Sequence, residues 1–489
     1  MLNAGYVSQA VPFLNIVSDA QIHEIKQAAF RILERTGVTL EHPEAKKMVR
    51  SVGAIVQGDR VFVPRHLIET ALSKVPKGFA VYDRLGRPAM DLSGRKSYFG
   101  TSTASPAQEV IGSHRQIGQS TILGIAHGAR LADALPNIDF VMPFGTAQDV
   151  PGEAAELYEI QAVMENTTKP IVFCGYSGRG VALALEMAAV VAGGREKLAQ
   201  KPFIIPYPEP ITPLYYPYEV VERILVSSDY GVPQVTSGAQ ITGLTGPVTL
   251  AGALALANAE GFFSIFLAQL RRRGSPCFLC SSVGTSNMRN GLGLISSPEQ
   301  SLTLAVQSAV ARSLGLPTWG LAGATDSKTV DAQAGSEAAL ELIIQALAGV
   351  SLIHDCGYLD MGMICSYTMM TLDDEIIAWV KRFMRGIDIS EETLAEEIID
   401  NVGPRGNFMC NSHTIKYVRK ESYQAALFNK TGYEAWEKAG SKTVEDLAGE
   451  KAKFLIESHR PEPLPEAVRL ELKHKRENGV KELTSKKGN

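Results

Sequence analysis

The sequence predicts an α/β fold, a (β/α)8 TIM barrel between an N-terminal mixed α/β cap region and a C-terminal helical extension. From Tyr98 onward, a short apolar run, a loop rich in Gly, Ser or Pro, and an amphipathic helix follow one another repeatedly. About eight such pairs fill about 290 residues, as a closed eight-stranded barrel requires. The alternative, a doubly wound open sheet, often has a Gly-rich phosphate turn, but neither GxGxxG nor GxxxxGK[ST] occurs.

The cap region is predicted to cover residues 1–95. Asp19 can N-cap a helix whose apolar positions follow helical spacing up to Gly37. A short strand pair is expected over 54–63, followed by a helix that begins at Pro64 and runs through Val75. Two further short strands are expected at 79–82 and 88–92.

The barrel is predicted to cover residues 96–386. Its strands are expected at 98–101, 139–143, 171–174, 203–207, 234–236, 277–281, 318–321 and 351–355. Its helices are expected at 153–166, 181–192, 218–228, 248–273, 298–314, 332–348 and 374–385. The apolar stretch 248–270 contains Asn258, Glu260 and Gln269, which are costly in hydrocarbon, so we expect a buried helix there rather than a membrane span.

The C-terminal extension, residues 387–489, is predicted to be helical at 391–399 and 422–429. It is expected to end in a solvated, frayed charged tail from Leu470 onward.

Composition excludes several classes of partner. The 489 residues hold 48 Lys and Arg against 52 Asp and Glu, so no bulk positive charge favours nucleic acid or an anionic membrane. The six cysteines are too sparse for a disulfide scaffold. The N-terminus lacks the pattern of a signal peptide. A cytoplasmic location is therefore expected.

Metal chemistry is not predicted. Cys277 and Cys280 have CxxC spacing, but on a strand residues three apart point to opposite faces, and no second ligand pair occurs. His354, Asp355 and Cys356 are adjacent on a strand and cannot all face one ion.

In a barrel the reacting groups lie at the C-terminal ends of the strands. Lys328, in the loop 323–333, is the one good candidate for a Schiff base, although Asp326 and Asp331 beside it favour a protonated amine. Aromatic residues are abundant on the strands and loops, and aromatic walls with few cations are typical of quaternary ammonium sites. The relevant rings are those of Tyr98, Tyr176, Tyr207, Trp319 and Tyr358.

Several segments resemble the trimethylamine:corrinoid methyltransferase family. They are 137–140 (NIDF), 159–172, 323–335 (GATDSKTVDAQAG), 357–362 (GYLDMG) and 373–377. Founding members are TIM-barrel enzymes that carry pyrrolysine and pass a methyl group from trimethylamine to the Co(I) of a separate corrinoid protein. The resemblance places that pyrrolysine in or near the loop 323–333, but this sequence contains only standard residues. Members without pyrrolysine act on quaternary amines such as glycine betaine, proline betaine or carnitine.

The resemblance therefore implies a pyrrolysine-independent quaternary-amine:corrinoid methyltransferase. Asp360 and Glu209 are the candidates for charge compensation at the ammonium, and His354 and Lys328 for binding a carboxylate. The five aromatic residues, Asp326 and Gln333 complete the predicted substrate-binding set.

The expected partners are a corrinoid protein, which supplies the cobalamin, a small quaternary amine and further copies of this chain. No cofactor is expected to be bound by the chain itself. Two alternatives remain open: a TIM-barrel lyase or aldolase that uses Lys328, and a non-catalytic betaine-binding barrel.

Overall fold

The N-terminal region of the structure, a computed structural model that describes residues 12–236, 238–280 and 282–485, alternates short helices and strands. Its elements are α1 (Asp19–Arg35), β1 (Val38–Leu40), α2 (Pro43–Ser51), β2 (Ile55–Gln57), β3 (Arg60–Phe62), α3 (Arg65–Lys74), β4 (Ala80–Tyr82) and β5 (Pro88–Asp91). Ser18, rather than the predicted Asp19, caps α1: its hydroxyl accepts the N–H of Gln21, whose side chain accepts the N–H of Ser18.

The central region repeats parallel strands and helices. The first half contains β6 (Tyr98–Thr101), β7 (Ala107–Val110), β8 (Ser113–Gln119), α4 (Ile122–Ala134), α5 (Ala155–Asn166), β9 (Ile171–Phe173), α6 (Gly178–Ala192), α7 (Arg195–Gln200), β10 (Ile204–Pro206), β11 (Tyr215–Tyr216) and α8 (Tyr218–Tyr230). The second half contains β12 (Gln234–Thr236), β13 (Ala239–Ile241), α9 (Leu250–Arg271), β14 (Cys277–Leu279), β15 (Ser282–Asn287), β16 (Leu292–Leu294), α10 (Pro298–Ser313), β17 (Trp319–Leu321), α11 (Ala332–Ala348), β18 (Leu352–Cys356), β19 (Tyr358–Leu359), β20 (Ile364–Cys365) and α12 (Tyr367–Met384).

The predicted strands pair in parallel and in sequence order. Ladders join β9 to β10, β12 to β14, β17 to β18, and β18 back to β6. Single parallel bridges connect Gly100 to Phe140, Val141 to Ile171, and Leu279 to Thr318. The described residues show no ladder between β10 and β12. The architecture is therefore α/β, with its parallel strands in sequential order.

The strand predicted at 139–143 is not a regular strand. It pairs through single bridges at Phe140 and Val141. The carboxylate of Asp139 accepts the N–H of Phe99 at 3.0 Å, where a ladder would use a backbone carbonyl. Pro143 has no N–H to donate, so the ladder does not extend.

The parallel strands share one apolar core. Tyr98, Phe140, Val172, Ile205 and Trp319 belong to one buried cluster. The β4–β5 hairpin contributes Val81 and Met90 to the same cluster. Because Tyr98 begins β6 and accepts the N–H of Asp91 at 3.0 Å, this hairpin covers the N-terminal end of the strands.

The long apolar helix α9 lies inside the protein. By length and composition alone it could cross a membrane, but 83% of its most apolar window is buried. The prediction of a buried helix is confirmed. The predicted opposite orientation of Cys277 and Cys280 is also confirmed, because the two lie in different core clusters on either side of β14.

The C-terminal extension is mostly helical. It contains α13 (Glu391–Leu394), α14 (Glu396–Val402), α15 (Ser412–Glu421), α16 (Tyr433–Lys438), α17 (Val444–Ser458) and α18 (Glu466–Ser485). The helix predicted at 422–429 is wrong: this stretch is irregular, and the N–H groups of Ala426 and Leu427 donate to the carboxylate of Glu375 on α12.

The prediction of a frayed charged tail from Leu470 is also wrong as far as residue 485. Leu472 and Gly479 are buried, and α18 packs against α5 and α6. A Cβ at position 479 would lie 2.8 Å from Leu157, so glycine allows the close approach. Arg179 on α6 binds Glu482 in two hydrogen bonds. Residues 486–489 lie outside the described part of the chain.

Gly100 provides a test of the packing of the strand core. A Cβ at this position would lie 2.2–2.4 Å from three ring atoms of Phe140. We expect Gly100→Ala to lower the free energy of unfolding by about 1–3 kcal/mol, the usual cost of overpacking, and to lower the melting temperature measurably. Gly335→Ala is the control, since nothing lies within 4 Å of its added Cβ, and it should be neutral or stabilising. Equal melting of both variants would contradict this packing.

Candidate functional site

The carboxyl ends of the parallel strands form one end of the strand assembly, which we call the mouth. Its side chains are those of Tyr207, Trp319, His354 and Asp355, which are buried, and of Cys174 and Glu209, which are partly exposed. Cys174 follows β9 directly, and Tyr207 follows β10. His354 and Asp355 lie in the last half of β18, while Trp319 begins β17 and extends its ring toward His354.

Three rings line the mouth. The rings of Trp319 and His354 are stacked, with centroids 4.3 Å apart and an interplanar angle of 23°. The ring of Tyr207 is roughly perpendicular to the other two, with its centroid 5.4 Å from that of Trp319 and 6.4 Å from that of His354. The sequence predicted these three residues as substrate-binding groups, and the structure brings them together. Such an arrangement can hold an organic cation over aromatic faces.

Asp355 is a buried carboxylate without a hydrogen bond. Its residue is 1% exposed, and neither carboxylate oxygen has a hydrogen-bond partner in the described part of the chain. Its φ of +88° lies in the left-handed region, which interrupts the alternation of β18. A buried charge usually has partners, so this one is suited to a ligand that carries the opposite charge.

His354 is similarly unsatisfied. It is 5% exposed, and neither ring nitrogen makes a hydrogen bond to a described residue. Its Nδ1 lies 2.5 Å from the Oδ1 of Asp355, but the angle between the two groups is not that of a hydrogen bond. The contact is therefore an ion pair only when the imidazole is protonated, and Nε2 remains available to a ligand.

Glu209 is the second carboxyl group of the mouth. Burial raises its pKa to about 7; nearby Arg223 lowers this pKa, whereas Glu260 and Asp355 raise it. The Arg223 guanidinium donates to the carbonyl oxygens of Gly175 and, at 3.5 Å, of Glu209 itself. Burial also lowers the pKa of Arg223 and raises that of the Cys174 thiol. The mouth thus combines apolar rings with an excess of acidic groups.

A second buried acidic pair lies behind the loop that follows β9. Burial raises the pKa of Glu156 to about 8 and that of Glu159 to about 7. The hydroxyl of Tyr176 donates to both carboxylate oxygens of Glu159 at 3.3 Å, and its N–H donates to Glu156 at 2.8 Å. Tyr176 was predicted as a wall of the substrate site, but the structure engages it with this pair instead.

Tyr98 does not belong to the mouth. It is the first residue of β6, is 1% exposed and donates its hydroxyl to the carbonyl of Asp91 at 3.4 Å. It therefore packs at the opposite end of the strands, and its prediction as a substrate-binding residue is wrong. Its pattern in the sequence identified the strand but not the end of the strand at which the ring lies.

Tyr358 lies beside the mouth. Its hydroxyl donates to the carbonyl of Thr103 and accepts the N–H of Thr103 at 3.1 Å. Burial and the charge of Asp355 raise its pKa. The hydroxyl ties the loop after β18 to the loop after β6, and the ring remains close to Asp355.

The other predicted residues form a separate network on the rim. Asp326 accepts the N–H of Ile295 at 3.0 Å, and burial raises its pKa. The Nζ of Lys328 donates to the carbonyl of Asp326 at 2.6 Å and lies 3.5 Å from Asp360. Gln333, exposed in the first turn of α11, donates to Glu337 at 2.8 Å. The structure connects these residues to one another and not to the three rings.

Lys328 has the wrong surroundings for a Schiff base. Its side chain is 65% exposed and lies beside a carboxylate. A nucleophilic lysine is usually desolvated in an apolar pocket, and Lys328 is not. The geometry contradicts the alternative of a lyase or aldolase at this lysine.

Metal ligands are not clustered. Among residues 12–236, 238–280 and 282–485, no group of three or more His, Cys, Asp or Glu side chains has the geometry to hold an ion. Cys280 donates its Sγ–H to the carbonyl of Trp319 at 2.6 Å, and Cys277 donates to the carbonyl of Ser275 at 3.5 Å.

A groove elsewhere is an apolar surface feature. It has a volume of about 780 Å³ and lies between α11, α12 and the C-terminal extension, lined by Leu372, Ile376, Trp379 and Phe428. Its acidic lining residue Glu445 binds Arg115 at 3.2 Å. Because buried ionisable groups converge at the mouth and not in this groove, the mouth is the candidate active site.

Sequence reasoning missed Asp355, Arg223 and Glu260 as members of the site. Glu260 lies on α9, where it accepts the N–H of Leu214 at 2.8 Å, and burial raises its pKa to about 7. A glutamate in an otherwise apolar helix was the available signal for Glu260. Nothing in the local sequence indicated the positive φ of Asp355, which directs its carboxylate inward.

Comparison with known proteins identifies relatives over nearly the whole length. The profile of the trimethylamine methyltransferase family matches residues 1–479. A trimethylamine methyltransferase of Desulfitobacterium hafniense (strain DSM 10664 / DCB-2) is 31% identical over 463 residues, which are 93% of this chain and 92% of the relative. A glycine betaine methyltransferase of D. hafniense (strain Y51) is 31% identical over 437 residues, 88% of this chain and 90% of the relative.

A solved structure shares the fold. The monomethylamine methyltransferase of Methanosarcina barkeri superposes with a TM-score of 0.52 at 12% sequence identity, covering 99% of this chain and 90% of that one. At this identity the likeness concerns the fold alone.

Proposed function

Because the chain belongs to the trimethylamine methyltransferase family, we propose that it transfers a methyl group from a quaternary amine to the Co(I) of a separate corrinoid protein. Glycine betaine, proline betaine and carnitine are the candidate donors. The similarity to a glycine betaine methyltransferase supports this substrate class. The reaction would take place at the mouth, and no pyrrolysine would take part in it.

One observation carries the proposal: Asp355 is a buried carboxylate that makes no hydrogen bond to a described residue, and it lies at a mouth lined by three aromatic rings. A quaternary ammonium has a full positive charge but no N–H, so it neither needs nor offers a hydrogen bond. Aromatic faces attract such a cation with about 0.5–2 kcal/mol each. A carboxylate without hydrogen bonds to the described residues can supply the opposite charge.

The chemistry requires little from the protein beyond positioning. Co(I) supplies the electron pair for the new bond to the methyl carbon, and the pair of the broken C–N bond stays on nitrogen. The leaving group is a neutral tertiary amine, so no general acid has to protonate it. What the chain contributes is orientation of one methyl group toward the acceptor and compensation of the ammonium charge until the bond breaks.

The residues divide between the two ends of a betaine. Asp355, with Glu209 in support, would face the ammonium, a role that the sequence assigned to Asp360 and Glu209. His354 would bind the substrate carboxylate through Nε2 as an imidazolium, whose Nδ1 then forms the ion pair with Asp355. Lys328 and Asp360, paired with each other on the rim, would act at the entrance to the mouth.

We also propose that the parallel strands close into a (β/α)8 barrel. The strands pair in the order β10, β9, the second predicted strand, β6, β18, β17, β14 and β12. β10 and β12 lie side by side and would complete the circle. A closed barrel would isolate the mouth from the N-terminal end, which the β4–β5 hairpin covers.

The test is a substrate screen with two acceptors. Glycine betaine, proline betaine, carnitine and choline are each offered with Co(I) cobalamin or the corrinoid protein, and formation of methylcobalamin is followed spectroscopically. We expect at least one betaine to be demethylated. Tight betaine binding without transfer to either acceptor would favour the non-catalytic betaine-binding barrel and refute the proposed reaction.

The raised pKa of Glu209 predicts how cation binding depends on pH. Because its pKa is raised to about 7, it is largely protonated at pH 6 and gains its charge as the pH rises. Affinity for tetramethylammonium should therefore rise between about pH 6 and 8, by about fivefold if the bound cation lowers this pKa by one unit. Titration calorimetry across this range measures it.

Two variants separate Glu209 from other groups that titrate near neutrality. Glu209→Gln should flatten the pH dependence of cation affinity. Glu159→Gln, a control whose carboxyl also has a pKa of about 7 but binds Tyr176, should leave it intact. If Glu159→Gln flattens the curve instead, the cation does not bind beside Glu209.

The partner would approach over the sheet of β13, β15 and β16. This sheet extends from the carboxyl ends of β12 and β14, and its tip exposes Leu244, Val248, Met288 and Leu292. A Cβ at Gly243 would lie 3.7 Å from Met288 and 3.9 Å from Val248, so these side chains form one apolar patch. A protein that brings an acceptor to the mouth would contact it, and exposed methionine adapts well to such contacts.

Met288→Glu tests this approach. We expect transfer to the corrinoid protein to slow about tenfold or more, because a charge would be buried in the contact. Transfer to free cobalamin should stay within about twofold, since Met288 is 73% exposed and lies outside the mouth. If both acceptors are affected equally, the patch belongs to the substrate site or to the fold.

A further inference from the structure

The segment after α12 has no core of its own. None of α13, α14 and α15 contains a buried residue. Fixing the backbone costs about 1–2 kcal/mol per residue, and helices this short are not stable alone. Apolar burial against another surface is the usual source of the missing stability.

This segment and the end of α12 together expose an unusual amount of apolar surface. From Trp379 to Val418, ten large apolar side chains are each 43–76% exposed, among them Phe383, Ile389, Met409 and Ile415. At about 150–250 Å² per large side chain, they present on the order of 1,000 Å². The largest apolar patch of a typical monomer is about 300–600 Å², whereas a stable interface buries about 800 Å² on each partner.

This surface lies far from the mouth. Lys381, near the end of α12, binds Asp139 at 3.3 Å, where the second predicted strand begins. Met384 lies beside Arg95 and Lys96, which precede β6. Glu421, which ends α15, is held by Arg382 and Arg385. The segment is thus attached at the N-terminal end of the strands, and a protein bound there could not deliver an acceptor to the mouth.

The first half of the segment is acidic and the second half is basic. Residues 388–400 contain six acidic residues and no Lys or Arg, whereas 401–420 contain four Lys and Arg and no acidic residue. Two acids pair within the chain, Asp388 with Lys420 and Glu392 with Lys416. In the described structure Glu396, Glu397 and Arg405 have no ion pair. A two-fold axis would bring the acidic half of one copy against the basic half of the other.

We propose that the outer face of α12 to α15 is the surface through which a second copy of this chain binds, with two-fold symmetry. The choice of a second copy rather than the corrinoid protein rests on the proposed function, which requires the acceptor at the opposite end. The self-complementary charges and the apolar area support the same occupant. The dimer leaves both mouths open.

Light scattering after size exclusion, without substrate or acceptor, tests the proposal independently of the proposed function. The wild type should have at least twice the 52.8 kDa mass of the chain. Met409→Glu combined with Ile415→Glu should weaken self-association at least 100-fold and give monomer. Leu123→Glu, a control on α4 with a side chain that is 64% exposed, should keep the wild-type mass.

Charge exchange gives a second measurement that does not depend on the apolar variant. Glu396→Lys with Glu397→Lys should weaken the dimer, and addition of Arg405→Glu with Arg419→Glu should restore it at low salt. A monomeric wild type throughout the micromolar range overturns the proposal. So does an oligomer whose mass neither set of variants changes, because its interface would then lie elsewhere.

Discussion

Asp355→Asn is expected to reduce kcat/KM for the betaine donor about 100- to 1,000-fold. The substitution keeps the shape of the side chain but removes the charge that faces the ammonium. Loss of one partner of a buried ion pair costs about 3–5 kcal/mol, and each 1.4 kcal/mol corresponds to a factor of ten. Steady-state transfer to Co(I) cobalamin measures the effect without involving the protein partner.

The same variant should not be less stable than the wild type. The carboxylate of an unliganded Asp355 is buried without a hydrogen bond to any described residue, and an amide is less costly to bury. The melting temperature is therefore expected to stay the same or rise. A fall in activity together with a fall in melting temperature would indicate that Asp355 supports the fold instead.

Asp360→Asn is the matched control. Its carboxylate, predicted from the sequence to compensate the ammonium, is 28% exposed and lies 3.5 Å from Lys328. We expect a change of threefold or less, because exposed pairs contribute about 0–1 kcal/mol. The reverse result, a large loss in Asp360→Asn and a small one in Asp355→Asn, would move the ammonium site to the rim.

A carbon isostere of the donor separates charge from shape. 3,3-Dimethylbutyrate has the shape of glycine betaine without the positive charge. The wild type should bind it at least 100-fold more weakly than glycine betaine, and Asp355→Asn should remove most of this difference. An unchanged preference in the variant would mean that another group recognises the charge.

The strand and helix pattern was predictable because each element carries its own periodicity. α11 was predicted at its observed bounds, and β6 and β12 likewise, since apolar runs between Gly, Ser and Pro loops need no long-range information. The strand predicted at 139–143 is irregular because the carboxylate of Asp139 takes the N–H of Phe99 that a ladder carbonyl would otherwise accept. The periodicity of apolar residues does not reveal such a side-chain hydrogen bond.

The site was predictable only in part. Tyr207 and Trp319 were predicted because their ring type and strand positions agree with a cation site, and His354 was predicted for the substrate carboxylate; the structure brings the three rings together. The prediction for Tyr98 failed because this residue begins β6, at the end of the strands that the β4–β5 hairpin covers. The sequence does not show at which end of a strand a ring lies. Asp355 depends on a left-handed turn, and Glu260 and Arg223 reach the mouth from helices whose packing is set by the whole fold.

Trimethylamine is expected to be demethylated at least 100-fold more slowly than the best betaine. A quaternary ammonium always expels a neutral amine, but trimethylamine does so only while it holds a proton. Trimethylamine that binds without its proton loses both the attraction of the acidic mouth and a good leaving group.

The pH profile of any residual trimethylamine turnover decides between two explanations. If Glu209 protonated the leaving group, the rate would fall as the pH rises through about 7, and Glu209→Gln would abolish it. We expect instead that betaine turnover rises over this range, because the ionised carboxyl attracts the cation. Rapid trimethylamine turnover with that falling profile, together with inert betaines, would show that the mouth serves a tertiary amine and that the quaternary-amine assignment is wrong.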